Sequence, residues 1–231
     1  MSTRIFSRNS LVTFGCLIFA SVVCLALSAA RYYRTGYLGS LFLAWNLFLA
    51  WVPFVYAFFA YRLHNSRFHK LLSVPGVIGC ALIWLLFLPN APYLLTDLIH
   101  LRVVDNSLYW YDLLMLLWYA WTGFLLGIIS LYLMQQVVAD SFGKVVGWLF
   151  VIVTLSLASF GVYLGRFLRW NSWDVLADPY PLFADIYNHF RHPLAYFQSH
   201  AFWIIFATLL IFTYIIFTAF ARLQTDSPNA R

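Results

Sequence analysis

Six long stretches of this chain carry no charged residue. They run over 9–30, 35–61, 71–96, 113–139, 145–165 and 201–221. Each reaches or exceeds the roughly 20 residues that a helix needs to cross a hydrocarbon core. In lipid a segment must satisfy its own backbone N–H and C=O groups, so such runs fold as helices. Charged residues make up 10% of the chain and apolar ones 63%, against about 25% charged in an ordinary soluble domain. A soluble fold of 231 residues could not hide that apolar surface. The bilayer is the natural solvent and the first partner.

The expected architecture is an all-α polytopic transmembrane helix bundle in a single membrane domain over 1–231. The expected spans are Leu11–Ala30, Leu38–Tyr61, Leu71–Leu88, Leu113–Met134, Val145–Gly165 and Ala201–Phe220. A short re-entrant or interfacial helix is expected near 90–101. Arg4 and Arg8 precede the first span, and Ser28-Ala29-Ala30 has the small-residue form of a signal-peptidase site. The apolar run there is long for a signal peptide, so a retained anchor is expected. The ends, 1–10 and 222–231, read as short polar tails.

The net charge is +6, but the basic residues are scattered over span ends. Nucleic-acid binding needs a clustered basic face, so that function is excluded. Cys16, Cys24 and Cys80 all fall inside spans. They form neither a disulfide framework nor a metal spacing and read as small apolar fillers.

Six spans put both termini on one side of the membrane. That side holds Arg4, Arg8, Arg62, Arg67, Lys70, Lys144, Arg222 and Arg231; the other holds Arg31, Arg34, Arg102, Arg166, Arg169 and Arg191. The excess of positive charge favours cytoplasmic termini. The acids divide more sharply. Asp97, Asp105 and Asp112 sit in one connection and Asp174, Asp178 and Asp185 in another, both expected outside the cytoplasm.

Gly123-x-x-x-Gly127, Gly143-x-x-x-Gly147 and Gly161-x-x-x-Gly165 are spacings that let helix backbones approach, here within the molecule. Pro53 is expected to kink the second span. Asn46, one to two turns before it, is expected to bond another helix.

Two polar clusters interrupt the apolar runs, and ionisable residues held near lipid are candidates for function. The first reads PNAPYLLTDLIHL over 89–101. Pro89 ends the third span, and Asn90 can cap a new helix with Pro92 in its first turn. Asn90, Tyr93, Asp97 and His100 then follow i, i+3, i+7, i+10 and share a face. Asp97 and His100 could act as an acid/base couple or as two metal ligands, or form a plain polar pair at headgroup level. The second cluster reads GRFLRWNSWD over 165–174. If the fifth helix continues, Arg166, Arg169, Trp170 and Trp173 stand on one side, with two guanidiniums one turn apart. Such forks suit phosphate or carboxylate groups, and the same residues also suit a plain interfacial anchor. Asn171, Ser172 and Asp174 add local bonding or a helix end. His189-x-x-His192 could add metal ligands, although Pro193 interrupts the helix there. Asp112 opens the fourth span, where the helix dipole accounts for it. Nucleophile-elbow, P-loop, dinucleotide and zinc-protease motifs are absent from the sequence.

NLFLAW at 46–51, FLPNAPYLLTDLIHL at 87–101, WYD at 110–112 and GRFLRWNSWD at 165–174 resemble the bacterial membrane-protein family known as domain of unknown function 1361. The resemblance covers about 38–220 and follows the family's motif order. It implies a multi-pass protein of the bacterial inner membrane. It carries no activity, substrate or cofactor. Because the two long clusters resemble the family's hallmark segments, it favours a role for them beyond anchoring.

The leading functional expectation is a polar site on the non-cytoplasmic side. Arg166 and Arg169 would hold an anionic group such as a lipid phosphate, with Trp170, Asn171, Trp173 and Asp174 around it. Asp97 and His100 would do proton or metal chemistry, with Asn90 and Tyr93 orienting. The protein would then be a small membrane enzyme or a lipid-binding protein; the sequence names no cofactor. A transporter or channel would use Asn46, Thr122, Thr154 and Ser156. An assembly protein would use the aromatic surface, with no local feature to name its partner.

Overall fold

The structure is a computed structural model that describes residues 8–36, 38–66, 70–101 and 108–225, with 8–10, 70–72 and 222–225 described by backbone alone. Arg4, Arg67, Arg102, Asp105 and Arg231 lie outside the described residues. The described residues form helices α1 (Arg8–Thr35), α2 (Leu41–His64), α3 (Lys70–Phe87), α4 (Asn90–Thr96), α5 (Tyr109–Phe142), α6 (Lys144–Phe167), α7 (Asp174–Ala177), α8 (Pro179–Arg191) and α9 (Phe197–Thr225). A 3₁₀ turn, Asp97–His100, extends α4. No strand occurs among the described residues. Six helical stretches are long and apolar enough to cross a membrane: Leu11–Thr35, Leu41–His64, Ser73–His100, Tyr109–Phe142, Lys144–Phe167 and Phe197–Ala221. The fold is therefore the expected all-α polytopic bundle. The chain divides into two compact units, Met1–Ser130 and Leu131–Arg231.

In the first unit, α2 pairs with α3 and α4. The pairing is antiparallel, as three contacts along it show. Leu63 lies opposite Gly76, Asn46 opposite Asp97, and Phe42 opposite His100. The short helix expected over 90–101 is thus present as α4 and its 3₁₀ turn. It is joined to α3 by the turn at 88–89 and lies with α3 in one apolar stretch, 73–100. Asn90 does not cap it; its side-chain N–H donates back to the Phe87 carbonyl at 2.9 Å, closing the end of α3. Pro53 lies buried inside α2, which runs unbroken from Leu41 to His64.

The glycines of α5 explain how α4 fits. A Cβ at Gly123 would run into the Leu94 side chain and come within 2.8 Å of the Ala91 carbonyl oxygen; one at Gly127 would lie 3.1 Å from the Ala91 methyl. The small-residue spacing is thus used within the molecule. Lipid offers no hydrophobic force between helices, so this close van der Waals packing holds the contact. Leu43, Leu47, Ala50 and Phe54 of α2 join Ala91, Leu94, Met115, Leu116, Tyr119 and Leu126 in the core.

Polar bonds fasten α1. Tyr111 Oη donates to the Leu27 carbonyl at 2.5 Å, and Trp118 Nε1 to the Ala20 carbonyl at 3.1 Å. Ser28 and Tyr119 share a hydroxyl bond of 2.8 Å, and Trp51 Nε1 donates to Ser21 at 3.0 Å. Cys24 lies 3.6 Å from the Thr122 hydroxyl.

In the second unit, Gly143 turns the chain between α5 and α6 with φ 94°, a conformation that glycine adopts without a Cβ penalty. A Cβ at Gly147 would come within 2.9 Å of the Ala139 methyl, so glycine lets α6 pass close to the end of α5. α6 packs along α9, and Tyr214 Oη donates to Gln135 Oε1 at 2.5 Å. The outward sides of α6 and α9 carry exposed Leu149, Ile152, Leu157, Ile205, Leu209 and Phe212, as expected of helices solvated by lipid.

Candidate functional site

The first cluster puts its ionisable group inside the helix packing. Asp97 is 1% exposed. Asn46 Nδ2 of α2 donates to its Oδ2 at 2.9 Å. Asn46 is thus the interhelical bond expected of it, and its partner is a member of the first cluster. Within the 3₁₀ turn the period is three residues, so His100 eclipses Asp97 along the axis. The His100 imidazole is exposed and meets the Phe42 ring edge-on at 5.0 Å. Tyr93 and Asn90 are half-buried, and the Tyr93 carbonyl accepts the Thr96 hydroxyl at 2.7 Å. The cluster therefore presents a buried acidic side chain bonded by an amide and, three residues on, an accessible imidazole.

Asp112 does more than complement a helix dipole. Arg31 Nε and Nη2 bind its two carboxylate oxygens at 2.5 and 2.9 Å. Both side chains are under one-fifth exposed. This two-pronged geometry is the strong form of the Arg–carboxylate pair.

The second cluster is built differently from the sequence expectation. α6 ends at Phe167 and does not carry Arg169, Trp170 and Trp173 onward on one face. Arg169 turns left-handed, φ 62°, and the Trp170 N–H bonds the Leu164 carbonyl at 3.2 Å. That is a helix stop of the kind glycine usually makes. The two guanidiniums are therefore not stacked one turn apart: Arg166 stays on the last turn of α6, half-buried, and Arg169 leaves it, exposed. Beyond the stop, the Asp174 carboxylate accepts the Asn171 backbone N–H at 2.6 Å and its side-chain N–H at 3.1 Å. Trp170 Nε1 donates to Asp185 of α8 at 2.9 Å. Trp173 precedes α7 and is exposed.

His189 and His192 do not form a metal pair. His192 is exposed beyond the end of α8. His189 is 1% exposed and lies 4.3 Å from the ring of His200, a residue that no motif marked. Phe160, Tyr163 and Tyr196 surround it at 5.6, 4.9 and 5.0 Å between ring centres. Neither ring nitrogen of His189 has a protein partner. Burial, then the neighbouring His200, lowers the His189 pKa. Among the described residues no three His, Cys, Asp or Glu side chains gather as a metal site would require.

Of the four residues a transport path would use, Thr122 bonds the Trp118 carbonyl and Ser156 the Ile152 carbonyl, each one turn back, Asn46 bonds Asp97, and Thr154 is buried.

Six apolar helices, an aspartate buried against α2 in the first unit and a structured Arg-Trp stop at the end of α6 in the second define a multi-pass membrane protein with polar centres in its helix ends. The chain belongs to a family of proteins of unknown function, DUF1361, whose pattern matches residues 45–218. Both polar clusters lie within that match, and Arg31 lies before it. No curated protein and no solved structure matches the chain significantly.

Proposed function

We propose that this membrane protein binds an anionic group, of the lipid-phosphate kind, through Arg166 and Arg169, and that it works as a lipid-binding protein or small enzyme. The proposed setting is the bacterial inner membrane, with cytoplasmic termini and both clusters on the opposite side. The observation that carries the reading is Arg169. A left-handed backbone costs a non-glycine residue roughly 1–2 kcal/mol, yet this position holds a guanidinium and exposes it. The neighbouring carboxylates Asp174 and Asp185 bind Asn171 and Trp170. Trp170 and Trp173 suit the headgroup level at which such a ligand lies. In the first unit, the Asn46–Asp97 bond and the exposed His100 in the same 3₁₀ turn support a separate role in proton exchange, with Tyr93 and Asn90 as positioning residues.

The test is the anionic phospholipid that stays with the purified protein through detergent washing, measured by mass spectrometry. Arg166→Gln with Arg169→Gln should lower it by about tenfold, the equivalent of one lost charge-assisted bond of about 1.4 kcal/mol. Arg169→Gly should also lower it while raising thermal stability, because glycine relieves the backbone. Unchanged lipid in the double variant would overturn the reading. A cysteine at Ser172 should label from the non-cytoplasmic side with a reagent that does not cross the membrane.

A further inference from the structure

We infer that α8 lies along the membrane surface with an aromatic ridge sunk among the lipids, at the boundary between headgroups and acyl chains. Tyr180, Phe183, Tyr187 and Phe190 follow i, i+3, i+7, i+10 and so form one stripe along the helix. They are 85%, 59%, 60% and 54% exposed. The buried residues of α8, Leu182 and His189, form the neighbouring stripe. That stripe is covered within the unit, since His189 packs on Phe160 and Tyr163 of α6 and on His200 of α9. Asp185, Asn188 and Arg191 fall on the remaining side. Apolar residues therefore occupy about half of the circumference at 3.6 residues per turn. The packed helices cover one part of that half and reach the edge of Phe190, which meets Phe160 and His200 at 5.4 and 5.9 Å between ring centres. Arg191 lies over the Tyr187 ring at 5.7 Å, and the remaining surface of the four rings stands exposed on the other part.

The position of α8 in the chain says what covers them. α8 links α6 and α9, two helices of the same unit that are long and apolar enough to cross the membrane. Only residues 168–178 and 192–196 separate it from them, so it cannot leave the membrane surface far behind. Leu194, between α8 and α9, and Phe197, Ile204 and Ile205 of α9 are likewise exposed, at 89%, 68%, 50% and 69%. α9 is long and apolar enough to cross a membrane, so lipid would cover those residues as well. Segregation of large apolar side chains from a polar side is the mark of a helix lying in the interface, and tyrosine and phenylalanine rings suit that depth. Charge identifies the lipid component. Arg191 is set against Asp178 and Asp185, so α8 has no positive excess to draw anionic headgroups. The occupant is the uncharged headgroup–acyl boundary of the bilayer. The inference does not depend on the anion site at Arg166 and Arg169.

The experiment uses the full chain with Cys16, Cys24 and Cys80 replaced by serine. A single cysteine carrying a bimane fluorophore is placed at Phe183, Tyr187 or Asn188. The protein is reconstituted in phosphatidylcholine vesicles whose acyl chains are brominated near the glycerol end. Probes at Phe183 and Tyr187 should be quenched at least about twofold more than the one at Asn188, as one-sided insertion requires. Aqueous iodide should reverse the order. Adding phosphatidylglycerol should change neither result, whereas retention of anionic lipid by the arginines should respond to it. Equal lipid quenching at the three positions would overturn the inference. So would protection of the Phe183 probe from both quenchers in a manner that depends on protein density, because a second copy would then cover the ridge. Monodisperse elution and unchanged helix content qualify each variant for comparison.

Discussion

Asn46 Nδ2 and Asp97 Oδ2 meet at 2.9 Å from positions 51 residues apart, one on α2 and one just past α4. The pair behaves as a unit, because a buried acceptor that loses its donor keeps its desolvation penalty. Asn46→Leu should lower the unfolding free energy in detergent by about 1–3 kcal/mol. Asp97→Leu should also destabilise. The double variant should lose less than the two single losses combined, with a coupling of about 0.5–3 kcal/mol. Chemical unfolding curves of the four proteins measure this, and strict additivity would show that the bond contributes nothing.

Gly123 is where α4 comes closest to α5. Gly123→Ala should destabilise by about 1–3 kcal/mol, as overpacking does, because the new methyl meets the Ala91 carbonyl and the Leu94 side chain. Gly79→Ala is the matched control, with nothing within 4 Å of its Cβ. Thermal unfolding should separate the two clearly; equal behaviour would mean that α4 does not sit where the structure puts it.

Residues 9–30 should remain part of the mature protein. Cutting after Ala30 would remove Ala20, Ser21, Cys24, Leu27 and Ser28, all of which make bonds or contacts with α2 or α5. The measurement is the tryptic peptide Asn9–Arg31 in protein purified from the membrane. A new N-terminus at Arg31 would refute the prediction.

Lower pH should loosen α8. The docked state holds His189 with a pKa below its ordinary 6.5, because burial and His200 disfavour the imidazolium. The undocked helix therefore binds the proton more readily. Docking is at full strength above about pH 6.5 and weakens as pH falls toward the lowered value. A cysteine at Ile186 should gain reactivity relative to one at Asn188 on going from neutral to acidic buffer. In a His189→Phe background the ratio should stay flat, and a flat ratio with His189 in place would refute the prediction.

The crossings were readable because charge-free runs of that length have one stable form in lipid. The break at Pro89 and a short helix beginning at Asn90 were readable from local stereochemistry, whereas the change from α to 3₁₀ winding at Asp97 was not. The partners were not. In a chain this apolar, periodicity does not distinguish a lipid-facing side from a packed one. Nothing local in the sequence therefore ties Asp97 to Asn46, Arg31 to Asp112 or His189 to His200. Arg169 was hidden for another reason. Its left-handed backbone occupies a place where glycine would have announced a stop, so the arginine read as one more helical turn.

The Arg31–Asp112 fork orders events during synthesis. Its two halves are separated by 81 residues, which a ribosome needs roughly 4–16 s to add at 5–20 residues per second. Throughout that interval the guanidinium of Arg31 lacks the carboxylate that it grips in the folded protein. The ring hydroxyls and indole of α5 that later clasp the same helix do not yet exist. α2 can hold α1 early through Trp51 and Ser21, but the seat of α1 against α5 closes only after the fourth crossing has begun to arrive.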